Sequence, residues 1–207
     1  MYIKARTIDS AWGRILSALW DSPSFKSQRG ETKEIHNLLV RVTEPAEKMT
    51  CEGFLMGQDQ LEEYSKQLLD PDKQGFEYTY GERLRAWGDE KIDQIGFVIE
   101  KLKKDPNSRR SLAVTWIPPV DEKKEEVPCL ILADFKIRGG KLHLTAVFRS
   151  NDMFGAWPAN AYGLTRLCEF VAKGVGVPVG TLTTLSISAH IYEHDWENVK
   201  RRLGVSK

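Results

Sequence analysis

Cysteine is scarce in this chain. Three occur among 207 residues, at positions 51, 129 and 168, and no two form a CxxC pair. An odd number at such wide spacing supports neither a disulfide framework nor a structural zinc site. Charge of one sign is lacking too: 30 Lys and Arg stand against 29 Asp and Glu, a net charge of +1. Without a basic footprint, nucleic acid is not an expected partner, although one small phosphate needs only a local group of arginines. No apolar run reaches membrane-spanning length, and the first residues lack the pattern of a signal peptide. Repeats and low-complexity segments are missing. The absences together read as a soluble cytoplasmic protein with no membrane contact and no resident metal. What is present, 41% apolar residues over this length, suffices for one buried core.

The periodicities set the order of elements. Ile8, Ala11, Trp12, Ile15, Leu16 and Leu19 recur at helical spacing, with Thr7 or Asp9 available as N-cap. Polar residues over 22–32 read as a loop around Arg29-Gly30, and 35–42 as a strand. Helices are expected over 58–69 and 91–104, a strand over 112–117, and an exposed loop across the charged run 121–126. Pro158 suits the first turn of a helix that carries Ala161, Leu164, Cys168 and Val171 on one face. From 181 to 192 the residues alternate: Leu185, Ile187, Ala189 and Ile191 point one way, Ser186, Ser188, His190 and Tyr192 the other. A short helix is expected over 193–202. Cys168 reads as a packing residue, Trp12, Trp20 and Trp116 as core, and His36 and His143 as surface. Interleaved helices and hairpins predict an α+β fold, residues 1–207 forming a single domain with a mixed or antiparallel β-sheet flanked by helices.

One cysteine stands apart. Residues 129–137 and 141–149 are apolar-rich runs of strand length on either side of Arg138-Gly139-Gly140, a hairpin signal. A two-residue loop makes paired positions sum to 279 and sets Cys129 opposite Ser150. A three-residue loop sets it opposite Arg149. Either register brings the thiol near a guanidinium, since directly paired residues have Cβ atoms roughly 5 Å apart. A permanent positive charge there favours thiolate, which makes Cys129 a candidate nucleophile.

Five strings surround that residue in order: Tyr80-Gly81-Glu82-Arg83-Leu84-Arg85-Ala86-Trp87 with Asp93-Gln94-Ile95; Pro106-Asn107-Ser108-Arg109-Arg110; Pro128-Cys129; Arg149-Ser150-Asn151-Asp152 leading to Asn160; and His190-Ile191-Tyr192. In this order and spacing the chain resembles the thymidylate synthase family, and within it the short methanogen-type members, over about residues 80–192. The resemblance implies a thymidylate synthase-like fold and a methyltransferase that makes dTMP from dUMP by reductive methylation. It implies a methylene-tetrahydropterin cosubstrate, of the tetrahydrofolate or tetrahydromethanopterin type, and no metal. Cys129 matches the nucleophile that attacks C6 of uracil. Arg149 and Ser150 match groups on the 5′-phosphate, and Arg29, which precedes a glycine, fits as a further phosphate arginine. Arg109 and Arg110 match a pair lent across a homodimer interface, a state the sequence leaves open against a monomer. Asn160 matches the amide that reads the pyrimidine edge, and His190 and Tyr192 match contacts to the 3′-hydroxyl. Asp152 matches a carboxylate that positions the cosubstrate, and Tyr80 a member of the catalytic hydrogen-bond network.

The chemistry supports these roles independently. A thiolate adding at C6 turns the unreactive C5 carbon into an enolate carbon, splitting one hard step into easier ones. Arginines suit a phosphate dianion because they bind it bidentately and stay charged. An Asn amide offers one donor and one acceptor to the O4/N3–H edge of uracil, where an Asp would prefer cytosine.

The departures from the family pattern shape the alternatives. Leu130 follows the nucleophile in place of a histidine, and Phe148 replaces a glutamine. The glutamate that manages protons in the family has only Glu47 and Glu52 near its region. The sequence ends at Val205-Ser206-Lys207 without the apolar tail that closes over folate, which favours a methanopterin-type donor. The alternatives are a hydroxymethylase, a non-catalytic dUMP-binding relative, and a Cys/His hydrolase using Cys129 and His190.

Overall fold

Thr7 Oγ1 accepts the Ser10 backbone N–H at 3.2 Å while Ser10 Oγ accepts that of Thr7 at 3.1 Å. This reciprocal cap starts α1 (Ile8–Trp20), whose Ile8, Ala11, Trp12, Ile15, Leu16 and Leu19 are all fully buried. The computed structural model describes residues 1–73 and 75–205. Ser206 and Lys207, part of the tail read above, lie outside the described residues.

A seven-stranded sheet organises the rest. β1 (Tyr2–Ala5) runs parallel to β3 (Gly30–Val42), β3 pairs antiparallel with β7 (Val179–Tyr192), and β7 lies parallel to β6 (Lys141–Asp152). β6 continues antiparallel to β5 (Leu130–Arg138), which pairs antiparallel with β4 (Leu112–Val114) at the edge. β2 (Ser24–Ser27) pairs antiparallel with the start of β3. The fold is therefore α+β with a mixed sheet, as expected. α6 (Trp157–Val175) lies against β6 and β7 and is flanked by α1, α2 (Gln58–Lys66) and α4 (Gln94–Lys104). The smaller helices are α3 (Tyr80–Arg85), α5 (Pro118–Asp121) and α7 (Trp196–Leu203). No helix among the described residues is long and apolar enough to cross a membrane.

Several sequence expectations need correction. The segment 22–32 is not an open loop but a hairpin turning at Gln28-Arg29. Its polar residues satisfy the turn: Ser27 Oγ donates to Gly30 O at 2.8 Å and accepts from Thr32 Oγ1 at 2.9 Å. The 91–104 helix starts at Gln94, because Asp93 caps it by accepting the Gly96 N–H at 2.8 Å. The strand expected over 112–117 ends at Val114, leaving Trp116 outside it and half-buried. Asp121, expected in a solvated charge run, is buried against Arg83, which donates to its two oxygens at 3.1 and 2.8 Å.

The last strand also inverts a familiar pattern. On β7 from Leu182 to Ile187 the side carrying Thr184 and Ser186 is the covered one and Ile187 is exposed, whereas further along Ala189, His190 and Ile191 are all buried. The reason lies at the α6 side of the sheet, where the polar groups bond one another rather than water. Trp157 Nε1 donates to Thr184 Oγ1 at 3.0 Å, and Asn151 Nδ2 to Ser186 Oγ at 3.2 Å.

Candidate active site

The β5–β6 hairpin realises both registers read from the sequence. At the turn, Gly139 (φ 57°) and Gly140 (φ 71°) take the left-handed conformation a two-residue loop demands, and Arg138 pairs with Lys141. The sum of paired positions is 279 from there to Leu132–Val147, then 278 at Leu130–Phe148. Ile131 is the extra residue of a β-bulge. Its carbonyl accepts the Thr115 N–H at 2.9 Å, and the Thr115 hydroxyl donates to Leu130 O, so the unpaired segment is held from β4's side. Past the bulge, the Arg149 N–H donates to Cys129 O at 2.9 Å. Without it, Cys129 would share a face with Ala133, Phe135 and Ile137 in the core. With it, the thiol turns to the cavity.

That cavity has a volume of about 830 Å³ and opens beside the carboxyl ends of β6 and β7. The two parallel strands set Ser150 beside Ser188 and Asp152 beside His190. Cys129, Tyr80, Asp152, Arg29, Arg149, Ser150, Asn160, His190 and Tyr192 all line it. Arg109 and Arg110 do not; both are exposed on the segment between α4 and β4. Glu47, which pairs with Arg6 at 2.8 Å, and Glu52 also lie outside the cavity. Its acidic residues are Glu34, Glu125, Glu126 and Asp152.

Arg149 has two tasks. Its Nε donates to Pro128 O at 3.0 Å and its Nη2 to Val127 O at 3.0 Å, clamping the segment before the cysteine. The same Nη2 lies 3.8 Å from Cys129 Sγ. The thiol nonetheless does not become more acidic, contrary to the sequence expectation. Burial raises its pKa above 9.0, outweighing the opposing charges of Arg149 and Arg29, and Glu126 and Asp152 push the same way as burial. The resting sulfur is a protonated thiol beside a guanidinium.

Tyr80 is pinned to the same segment, its hydroxyl accepting the Leu130 N–H at 3.2 Å. Gly81 follows because a Cβ there would meet Asp70 O at 2.0 Å. Asp152 accepts the N–H groups of Phe154 at 3.0 Å and Gly155 at 2.9 Å, which turns the chain from β6 into α6. Asn160 then sits in the first turn of α6, close behind Pro158. Its Oδ1 accepts from the Tyr64 hydroxyl at 2.7 Å, and its Nδ2 donates to Asn151 Oδ1 at 3.4 Å. His190 has its pKa lowered, burial outweighing the nearby Asp152 carboxylate, so it is neutral near pH 7. Its ring lies 4.8 Å from that of Tyr192. Cys168 and Cys51, buried elsewhere, have thiols pushed up to about 12 by burial.

Among the lining residues to which the sequence reading gave no role are Tyr64, Tyr78, Glu34 and Asn151. Glu34 could have been found, since it pairs with His190 once β3 and β7 are set antiparallel. Tyr64, on α2 and 96 positions from its partner Asn160, carries no local signal.

The site can bind an anion at Arg29 and Arg149, present a directional amide to a planar heterocycle, and offer a sulfur nucleophile beside both. Comparison with known proteins points the same way. The family model described as thymidylate synthase matches residues 19–206. A relative from Methanosarcina acetivorans, named "Putative thymidylate synthase", is 52% identical over 96% of this chain and 92% of its own. Relatives of the same name from Methanothermobacter thermautotrophicus and Methanocaldococcus jannaschii are 41% and 42% identical, each over 96% of this chain and over 96% and 94% of their own. With the cysteine, the arginines and the asparagine gathered in one cavity, the chain belongs to the thymidylate synthase family.

Proposed function

We propose that the protein makes dTMP from dUMP by reductive methylation through a covalent bond to Cys129. The observation that carries this reading is Cys129 Sγ, 3.8 Å from Arg149 Nη2, in a cavity that also holds Asn160. Arg29 and Arg149 receive the 5′-phosphate, with Ser150 as a hydroxyl donor. Asn160 meets the O4/N3–H edge, and His190 and Tyr192 meet the sugar hydroxyl. A volume of about 830 Å³ is within the range of small-molecule sites and leaves room beside a nucleotide.

Sulfur adds to C6, and the electron pair moves to C5 and O4. C5 then bonds to the one-carbon unit and its proton leaves; the bond from that carbon to the pterin nitrogen breaks, leaving an exocyclic methylene. Hydride from the released tetrahydropterin reduces the methylene to methyl as the thiolate departs from C6, and the pterin ends as its dihydro form. A methylene-tetrahydropterin of the folate or methanopterin type supplies the carbon and the hydride. Asp152 positions it, and Tyr80 holds the backbone next to the nucleophile. Because burial keeps the free thiol protonated, the thiolate forms as substrate enters and the proton departs.

Arg109 and Arg110 take part only if a second copy brings them, and we include a homodimer in the proposal. Incubation with 5-fluoro-dUMP and each methylene-pterin tests the chemistry. The expected result is a covalent adduct on Cys129 by mass spectrometry, absent from a folded Cys129→Ala variant. An adduct that persists in Cys129→Ala would overturn the reading. Tritium release from C5-labelled dUMP, compared between the two donors, identifies the cosubstrate.

A further inference from the structure

A chain of four side chains runs behind the cavity wall. The Tyr64 hydroxyl donates to Asn160 Oδ1 at 2.7 Å, Asn160 Nδ2 to Asn151 Oδ1 at 3.4 Å, and Asn151 Nδ2 to Ser186 Oγ at 3.2 Å. Asn160, Asn151 and Ser186 are all buried, so each polar atom depends on its neighbour rather than on water. The direction of the chain is what matters.

An asparagine amide is nearly symmetric in shape. Turned one way it presents its oxygen to a ring N–H and its N–H to a carbonyl, matching uracil. Turned the other way it presents N–H to a ring nitrogen and oxygen to an amine, matching cytosine. A freely turning Asn therefore reads both bases, and only a fixed one discriminates. In the far half of the chain nothing fixes it: Asn151 can turn with Asn160, because Ser186 can donate as well as accept. Tyr64 is different. Its phenol carries one hydrogen, and among the described residues Asn160 Oδ1 is its hydrogen-bond acceptor. Turning Asn160 would place an NH2 group there and leave the phenolic hydrogen without a partner. Burial also raises the phenol's pKa, so it stays a donor throughout the neutral range.

We propose that Tyr64 is the specificity-setting positioning residue of this site: by donating to Asn160 Oδ1 it holds the amide in the uracil-reading orientation. The inference rests on the reading of the cavity as a dUMP site. Tyr64 lies on α2, which the sequence joins to Asn160 by no motif, and it acts without any carboxylate.

Binding of dUMP and dCMP to the protein alone, by calorimetry, tests it without a pterin. The wild type should favour dUMP. Tyr64→Phe, which removes one oxygen and keeps the ring, should keep its melting temperature within a few degrees. It should also lose about tenfold of the dUMP-over-dCMP ratio, largely through tighter dCMP binding, one hydrogen bond being worth about that factor. A purely structural tyrosine would weaken both nucleotides equally. An unchanged ratio in Tyr64→Phe, with dUMP still bound by the wild type, would overturn the role of Tyr64 alone. Failure of the wild type to bind either nucleotide would instead remove the dUMP reading and this inference with it.

Discussion

Arg149 Nη2 stands 3.8 Å from Cys129 Sγ while it donates to the carbonyl of Val127. The guanidinium is thus anchored by backbone and cannot swing away from the sulfur without breaking that bond. It lowers the thiol's pKa against a larger rise from burial. Alkylation of the free protein by iodoacetamide, followed at Cys129 by mass spectrometry, should therefore accelerate with pH through a midpoint above the ordinary thiol value of 9.0. Arg149→Met should move that midpoint higher still, and Glu126→Gln should move it lower. A midpoint indifferent to Arg149 would mean that the guanidinium serves the backbone alone.

Arg83 and Asp121 form a buried pair that ties α3, which carries Tyr80, to the segment leading toward Cys129. Removing one partner leaves a buried charge. Arg83→Met should lower the free energy of unfolding by about 3–5 kcal/mol, measured by urea denaturation near neutral pH. The sign with pH follows from Asp121. Burial raises its pKa, but the Arg83 bonds and the Ile117 N–H more than offset this, so the folded value lies below 3.8. A depressed carboxylate contributes stability above its unfolded pKa and loses it as pH falls through the folded value. The gap between wild type and Arg83→Met should accordingly narrow below about pH 4. A gap constant with pH would count against the ion pair as its source.

How much of this was legible in the sequence depends on how far apart the causes lie. The register arithmetic around Gly139-Gly140 was local, and it reached Arg149 and Ser150 as the two candidates. What it could not decide was the bulge at Ile131, because Thr115, which holds that bulge, is a tertiary partner. Asp121 looked like part of a solvated run because Arg83 lies 38 positions earlier. Thr184 and Ser186 on β7 gave no sign that they faced inward, since their hydrogen bonds come from Trp157 of α6 and Asn151 of β6. The acidity of Cys129 was misjudged for the same reason: a neighbouring charge can be read from pairing, but burial cannot. Ten site residues came from motif order and Arg29 from the glycine that follows it, and nine of these eleven line one cavity. The two exceptions, Arg109 and Arg110, are those expected to serve a partner.

That exception has a direct consequence. If a twofold partner supplies Arg109 and Arg110, a Cys129→Ala chain retains arginines that a neighbour can use, and an Arg109→Ala/Arg110→Ala chain retains a usable cysteine. Each variant alone should be nearly inactive. Refolded together in equal amounts they form hybrids in which one of the two sites is intact, and statistical pairing gives about one quarter of wild-type activity. A mixture no more active than its separate components would place both arginines outside the site.

Asn160 offers the sharpest test of base recognition. Asn160→Asp replaces a donor–acceptor pair by two acceptors. The Tyr64 hydroxyl can still donate to one oxygen, and Asn151 can turn its amide to donate to the other while Ser186 donates to Asn151. The wall therefore accommodates the change without an unpaired group. Toward the ligand the effect is not neutral. Uracil loses the donor that met O4, whereas the exocyclic amine of cytosine gains an acceptor. Charged hydrogen bonds of this kind are worth about 1.5–3 kcal/mol, so the preference between dUMP and dCMP should shift toward dCMP by roughly 10- to 100-fold. Binding of both nucleotides to the variant, measured side by side, reads this directly. If both affinities fall together, Asn160 shapes the cavity wall without reading the base.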